Sequence, residues 1–321
     1  MTPLPNLEAL RAFAVVADAK QIKTAAERLG VTASAVSQSL SRLETELDCP
    51  LFVRNVRPLR LTPAGIRLLE DIRPIVAAAE NLVRRPYSGD AESMRLRLGL
   101  SESVTATIAP WLVSELLGRV KELETETVFT KPLVEKLRDD QLDVAVSPDP
   151  VLEEDRWERH ALYDEEFLLI AAGGETLPTD PLSLRAFAVR HPFIGYAGGS
   201  SDEIAMDRIL RAMNVSPVRR VLVSSSYTLA GLVANAGGWS VVPPTNLWCG
   251  RQFLKGITFG RLPVGHRDRR RMWAVGDRQL SLEAVRLTAQ AARRIFREKM
   301  LPELTSAAPG LDAFVTFPAE G

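Results

Sequence analysis

At 321 residues the chain is longer than one hydrophobic core supports, so two or three compact units are expected, a small head and a larger body. Hydrophobic residues make up 46% and charged residues 25%, which excludes a disordered or fibrous chain and leaves ample material for cores. The formal net charge is zero, which excludes a surface basic throughout, yet residues 49–69 hold Arg54, Arg57, Arg60 and Arg67 with no acid among them.

The N-terminal part reads as short helices followed by a hairpin. Leu7, Leu10, Phe13 and Ala17 recur at helical spacing and predict a first amphipathic helix. A second, around 24–29, is closed by Gly30, which suits a position past a helix end where φ is positive. Thr32 is placed to cap a third, its hydroxyl accepting from the unpaired amides of the next turn. Val36, Leu40, Leu43 and Leu47 fall on one side of that helix, and Ser34, Ser37, Gln38 and Ser41 on another. Residues 51–53 and 59–61 are short strands around a turn at 55–58.

Thr62 as cap and Pro63 at the first helical position then open a long helix running to about residue 84. Leu69, Ile72, Val76, Ala79 and Val83 are spaced as in a coiled-coil seam, which needs a partner, either the protein's own body or a second chain. A hinge at 86–90 follows.

Beyond it strands and helices alternate. Strands are predicted at 95–100, 125–130, 142–146, 166–171, 192–196, 220–223, 240–242 and 272–275, with helices at 104–117, 133–138, 225–236 and 282–298. Repeated strand–helix units imply mostly parallel sheets covered by helices, enough for two small α/β lobes. The tail carries Pro302, Pro309, Gly310 and Pro318 and reads as loosely ordered.

The segment from Ala25 to Gly65 resembles the head of LysR-type transcriptional regulators. The resemblance is carried by Ala25-Ala26, Leu29, Ser34-Ala35-Val36-Ser37, Leu43-Glu44, Leu51-Phe52 with Arg54, Arg57, and Leu61-Thr62-Pro63-Ala64-Gly65. The body is similar to that family's effector domain through Leu142-Asp143-Val144-Ala145-Val146, the 233–238 stretch and Val241-Val242-Pro243. Two places depart from the pattern: Lys20-Gln21-Ile22-Lys23 stands where a Gly-Ser-Phe-Thr type of sequence is usual, and Ala33 where Gln is common.

The resemblance implies an α/β protein: a mainly α winged helix-turn-helix at 1–62, a linker helix and hinge at 63–90, a two-lobed periplasmic-binding-protein-like effector domain at 91–305, and a tail at 306–321. Lobe I is expected at 91–163 and 267–305, and lobe II at 164–266. The implied partners are double-stranded DNA with paired half-sites, a small organic effector, a second copy through the seam, with a dimer and then a tetramer, and RNA polymerase if the protein activates.

In that frame Thr32, Ser34, Ser37, Gln38 and Ser41 face the major groove. Gln38 is the best candidate for reading a base, because its amide both donates and accepts at adenine. Arg54, Arg57 and Thr62 belong to the wing and its exit, where the arginines meet phosphate.

For the effector, Ser101 and Ser103 open a helix after the first strand, and Ser225, Ser226 and Thr228 open another in the second lobe. Two helix N-termini facing a cleft favour a small anion, though each serine equally suits a plain capping role. Thr130 and the Gly195 segment join the site because the family lines it there. The run from Arg267 to Arg271 reads as a solvated loop or subunit contact.

The rival readings are weaker. An enzyme is not expected: His160, His191 and His266 lack metal-ligand spacing, and neither a phosphate-cradling glycine loop nor a nucleophile elbow is present. Cys49 and Cys249 imply neither a disulfide framework nor a metal site, and one cysteine in the body argues against a redox sensor. No cofactor is expected. A solute-binding protein without a role on DNA would share the body alone. No run reaches the roughly 20 apolar residues of a membrane span and the N-terminus lacks an export pattern, so the protein is expected in the cytoplasm.

Overall fold

A computed structural model of the chain describes residues 5–53, 56–84, 95–127, 129–148, 155–197, 200–263 and 268–318. The chain divides into a unit made of Met1–Arg85 and Arg138–Gln141 and a larger unit made of Pro86–Leu137 and Leu142–Gly321.

In the N-terminal unit, α1 (Leu7–Ala19) begins where the Asn6 side chain accepts from the Glu8 amide at 2.8 Å, and ends at Lys20 in the left-handed region. α2 (Ile22–Leu29) starts without a side-chain cap at Gln21 and stops at Gly30, whose φ of 67° favours glycine. Thr32 caps α3 (Ala33–Glu46), accepting from the Ala35 amide at 3.2 Å. The buried stripe of α3, Val36, Leu40 and Leu43, packs with Leu10, Phe13 and Val16 of α1 and Ala25 and Ala26 of α2. After α3 the chain turns through a short wing, where Phe52 pairs with Leu61 and the Val53 amide donates to the Arg60 carbonyl at 2.8 Å. The predicted two-strand hairpin is thus a single bridge among the described residues.

α4 (Pro63–Arg84) starts as expected, the Gly65 amide donating to Thr62 Oγ1 at 3.0 Å. Its seam is used differently from the expectation. Ile72 and Val76 are buried in the head's own core, and the half-buried Leu69 packs against it. The Arg73 guanidinium meets Asp18 at 2.7 Å and fastens α4 to α1. Ala79 is half-buried, and the Val83 side chain lies outside the described set. Ile66 and Ile75, on other faces of α4, are exposed.

The larger unit holds two sheets. Chain order runs β1 (Arg95–Leu100), α5 (Glu102–Ala106), α6 (Ala109–Leu117), β2 (Glu122–Thr127), α7 (Thr130–Arg138), β3 (Val144–Ser147) and β4 (Trp157–Glu166) in the first lobe. The second lobe adds β5 (Leu168–Ala172), α8 (Pro181–Arg190), β6 (Phe193–Tyr196), α9 (Ser201–Ala212), β7 (Arg220–Val223), α10 (Ser226–Ala236), β8 (Trp239–Val242), α11 (Pro244–Cys249) and β9 (Ile257–Arg261). The chain then returns to the first lobe through β10 (Arg269–Asp277), α12 (Leu282–Ile295), α13 (Leu301–Ala307) and β11 (Val315–Thr316).

Sheet orders are β11-β4-β10-β3-β1-β2 and β7-β6-β8-β5-β9. β1 runs parallel to β2 and β3, and β6 parallel to β7 and β8, as βαβ crossovers require. The chain crosses between lobes twice, at Phe167 and between β9 and β10, and one apolar core runs through both.

Lobe I therefore reaches Glu166, three residues past the expected border at 163, and β4 carries Asp164 and Glu165 into the first sheet. The tail is not loose either: Leu311, Phe314 and Val315 are buried, and β11 pairs with β4.

Candidate functional site

The outer surface of α3 presents Ser34, Gln38 and Ser41 exposed and Ser37 half-buried, beside an exposed Thr32. One short-side-chain face of a helix is thereby left clear of the head's packing. Arg57 is exposed on the wing, while Arg54 lies outside the described residues. Thr62 is committed inward, its hydroxyl donating to the Pro50 carbonyl at 2.7 Å as well as capping α4.

The sequence reading passed over one positioning group. Glu44 reaches from α3 to accept from the amides of Leu51 at 2.7 Å and Phe52 at 3.3 Å, which fixes the wing against the reading helix. Its place on α3, seven residues before the hairpin, was the available signal.

In the larger unit a small cleft, partly open to solvent, lies between the lobes. From the first lobe come Ser101, Glu102 and Ser103 at the β1–α5 turn, Phe129 and Thr130 at the start of α7, and Arg270 of β10. The second lobe contributes Tyr196 at the end of β6, Ser200 to Asp202 at the start of α9, and Asn246 of α11. The strand ends place these residues there, because loops at the ends of parallel strands open onto the crevice where strand order reverses.

Arg270 organises the cleft. Its side chain is 7% exposed and every nitrogen is engaged. Nε donates to Glu165 at 2.9 Å, Nη1 to both Asp202 oxygens at 2.8 and 2.9 Å, and Nη2 to Thr245 Oγ1 and Asn246 Oδ1 at 2.8 Å each. Burial works to lower the pKa of this guanidinium, but the Asp202 and Glu165 carboxylates outweigh it and hold the group above the ordinary arginine value. Glu165, fully buried, also accepts from the Thr245 amide at 2.8 Å. A guanidinium and a carboxylate from the first lobe thus bind α9 and α11 of the second.

Two further ties cross between the lobes. Thr130 Oγ1 and Ser201 Oγ lie 3.0 Å apart. The Glu102 carboxylate accepts from the Ser226 amide at 3.0 and 3.1 Å and from Ser226 Oγ at 2.7 Å, closing off the N-terminus of α10. The Tyr196 hydroxyl contacts Ser226 Oγ at 2.7 Å and accepts from Asn246 at the same distance, and burial, with Asp202 nearby, raises its phenol pKa well above the usual value.

Of the residues expected at the effector site, Ser101, Ser103 and Thr130 line the cleft, and Ser226 stands behind it through Glu102 and Tyr196. Gly195, Ser225 and Thr228 do not line it. Gly195 is buried in β6, where a Cβ would come within 2.9 Å of the Phe193 ring, and Thr228 is exposed.

The basic run belongs largely to a strand and not to a solvated loop. Arg270 is buried in the cleft because β10 begins at Arg269, and strand alternation sends 270, 272 and 274 inward and leaves Arg269 and Arg271 outside. Glu102, Glu165, Asp202 and Asn246 were missed as well, since no sequence motif joins residues so far apart.

A helix-turn-helix with a clear polar face, followed by a two-lobed body around a polar cleft, defines a ligand-responsive DNA-binding regulator. Family models agree: the lysR-family bacterial regulatory helix-turn-helix model matches residues 7–66 and the LysR substrate binding domain model residues 89–296. The chain belongs to the LysR family; it is a transcription regulator that binds DNA and has an effector-binding domain, and is not an enzyme.

It is 34% identical over 176 residues to a probable hydrogen peroxide-inducible genes activator of Mycobacterium xenopi, covering 54% of this chain and 93% of that protein. It is 29% identical over 263 residues to the HTH-type transcriptional regulator YofA of Bacillus velezensis, covering 81% and 88%. Among solved structures, a hydrogen peroxide-bound mutant of OxyR from Corynebacterium glutamicum superposes with TM-score 0.56 at 25% identity, covering 98% of this chain and 96% of that one. Full-length CbnR complexed with its target DNA gives TM-score 0.60 at 21% identity, covering 90% and 99%, a likeness of fold.

Proposed function

We propose that this chain works in the cytoplasm as a homo-oligomer, a dimer and beyond it a tetramer, whose paired heads read two half-sites and whose interlobe cleft binds a small polar organic effector. The observation carrying the effector reading is the cleft itself, lined by mostly polar residues from both lobes and held by cross-lobe bonds that an incoming molecule would compete with. Contact with RNA polymerase belongs to the reading only if the protein activates.

On the DNA side, Gln38 supplies base reading, with Ser34, Ser37, Ser41 and Thr32 supplementing it or meeting phosphate, and Arg54 and Arg57 supply affinity without base information. Gln38→Ala then narrows the gap between operator and random DNA, by about 1–3 kcal/mol per half-site. Arg57→Ala weakens binding to both alike. Gel retardation with DNA from upstream of the gene checks this; equal losses for both variants on both DNAs would reject the division of roles. Burial of Ile72 and Val76 in the head supports the exposed Ile66 and Ile75, among the described residues of α4, as apolar contacts for a second chain.

Two finer points follow from the geometry. A thiol-based response to peroxide is not part of the proposal. Cys249, the one cysteine of the body, donates its Sγ–H to the Thr245 carbonyl, and burial pushes its thiol pKa up, away from the reactive thiolate. The anionic effector expected from two helix ends also loses its support, because Glu102 fills the end of α10. Retardation of the promoter fragment that is unchanged by every small molecule tried, and by Ser201→Trp within the cleft, would overturn the effector reading.

A further inference from the structure

The charge balance of the cleft wall is unusual for a site expected to hold an anion. Two carboxylates of the wall, Glu102 and Asp202, stand with the single guanidinium of Arg270, and a third, Glu165, is buried behind it. That guanidinium has no hydrogen left to offer: its five donors are met by Glu165, Asp202, Thr245 and Asn246. The backbone amide at the start of α10, the other natural seat for an anion, is held by Glu102 through both of its oxygens. Glu102 itself is met only by neutral donors from Ser226, so its charge has no cationic partner among these contacts.

A second observation points independently to a missing ligand. Ser101 lines the cleft and is 8% exposed, and its Oγ has no hydrogen-bond partner. Buried hydroxyls are normally paired, and an orphan in a pocket wall calls for something in that pocket. Beside it Phe129 keeps 37% of its surface exposed and, with Pro148, gives the cleft one apolar wall.

We infer that the cleft takes a small organic cation, an ammonium-bearing molecule whose charge is met by Glu102 and Asp202, whose hydrogen-bonding group reaches Ser101, and whose short carbon body lies against Phe129. The inference rests on the reading of this cleft as the effector site. An ammonium carries only donors, which suits a wall where the Glu102 carboxylate is met by neutral donors alone, and an aromatic face favours a cation nearby. A carboxylate would have to displace Glu102 and then sit beside it and Asp202 with no opposite charge free to receive it. Glu102 is thus a specificity-determining residue, an internal carboxylate that bars anions from the end of α10.

The test is thermal unfolding of the full chain at pH 7 and constant ionic strength with four probes of one size: butane-1,4-diamine, butan-1-amine, butanedioate and butane-1,4-diol. The amines are expected to raise the melting temperature and the dianion not to. Glu102→Gln keeps an acceptor for Ser226 but removes the charge, and lowers amine affinity by about tenfold or more, the loss of one charge-assisted hydrogen bond. Glu102→Ala opens the α10 end and shifts preference toward butanedioate.

Stabilisation of the unaltered protein by butanedioate in place of the amines, or by no probe, overturns the cation. Failure of the underlying reading is read separately with Ser201→Trp, which fills the cleft. A butanedioate shift that this variant removes keeps the site and overturns only the ligand class. An amine shift that survives it arises outside the cleft and overturns both.

Discussion

Arg270 shows how one side chain can hold two lobes together and yet be costly to remove. Its desolvated charge is balanced by Glu165 and Asp202, and truncation leaves a fully buried and a half-buried carboxylate without a cation. Arg270→Ala is therefore expected to lower the unfolding free energy by about 3–5 kcal/mol in urea denaturation, with Arg270→Lys recovering only part, because an ammonium cannot span both carboxylates. A loss under about 1 kcal/mol would mean that the pair behaves as a surface contact.

Asp277 gives a residue-level dependence on pH. Burial alone would raise its pKa, but bonds from Arg156 and from the amides of Leu280 and Gln279 outweigh that and hold the carboxyl below the usual value. A depressed folded-state pKa means that the stabilisation is present above the ordinary Asp value of about 4 and is lost as pH falls through the lower folded value. Arg156→Ala should therefore lower stability most at neutral pH, with the variant and the unaltered protein converging as pH falls below the ordinary Asp value; urea denaturation at pH 7 and at pH 3 measures it.

Among elements, the wing and α4 depend on one close approach. A Cβ on Gly65 would lie 2.2 Å from the Leu51 carbonyl oxygen, so Gly65→Ala must push the wing off α4. We expect it to destabilise the head by about 1–3 kcal/mol, the range for overpacking, with a fall in melting temperature and in affinity for all DNA. Glu44→Ala acts at the other end of the same joint. It removes the acceptor for the Leu51 amide, about 1.5–3 kcal/mol for a bond to a charged group, and should leave α3 folded but loosen the wing. Proteolysis within the wing, faster in Glu44→Ala than in the unaltered protein, checks this.

For the whole molecule, the two faces of α4 can be separated by mutation. Ile75 is 53% exposed and Ile72 is 3% exposed. Ile75→Glu should lower the oligomeric state in sedimentation without lowering the melting temperature, whereas Ile72→Glu should unfold the head. If Ile75→Glu sediments as the unaltered protein does, the outward face of α4 is not the contact. Paired heads should also show a salt slope near −5, for about six neutralised phosphates at roughly 0.9 each.

Much of this was legible in the chain, and the reason is local. Caps and helix ends at Thr32, Gly30 and Thr62 depend on neighbours a few residues away, so side-chain chemistry marks them. The period of three to four along α3 and of two along β1 places their apolar faces equally well. Those signals, with the motif around the reading helix, determined the helix-turn-helix, the α/β body and the family.

The cleft was a matter for tertiary structure. Ser101 and Thr130 could be anticipated at strand ends, but Glu102 meets Ser226 across 124 positions and Arg270 meets Glu165 across 105, and no periodicity records such pairs. The seam on α4 fits an intermolecular or an internal partner equally, until packing shows Ile72 and Val76 inside the head. Charge behaves likewise: sequence fixes how many carboxylates exist, while only the fold decides that Glu102 and Asp202 share a cleft with one fully engaged arginine backed by Glu165, because the strength of a charge depends on what stands within a few ångströms of it.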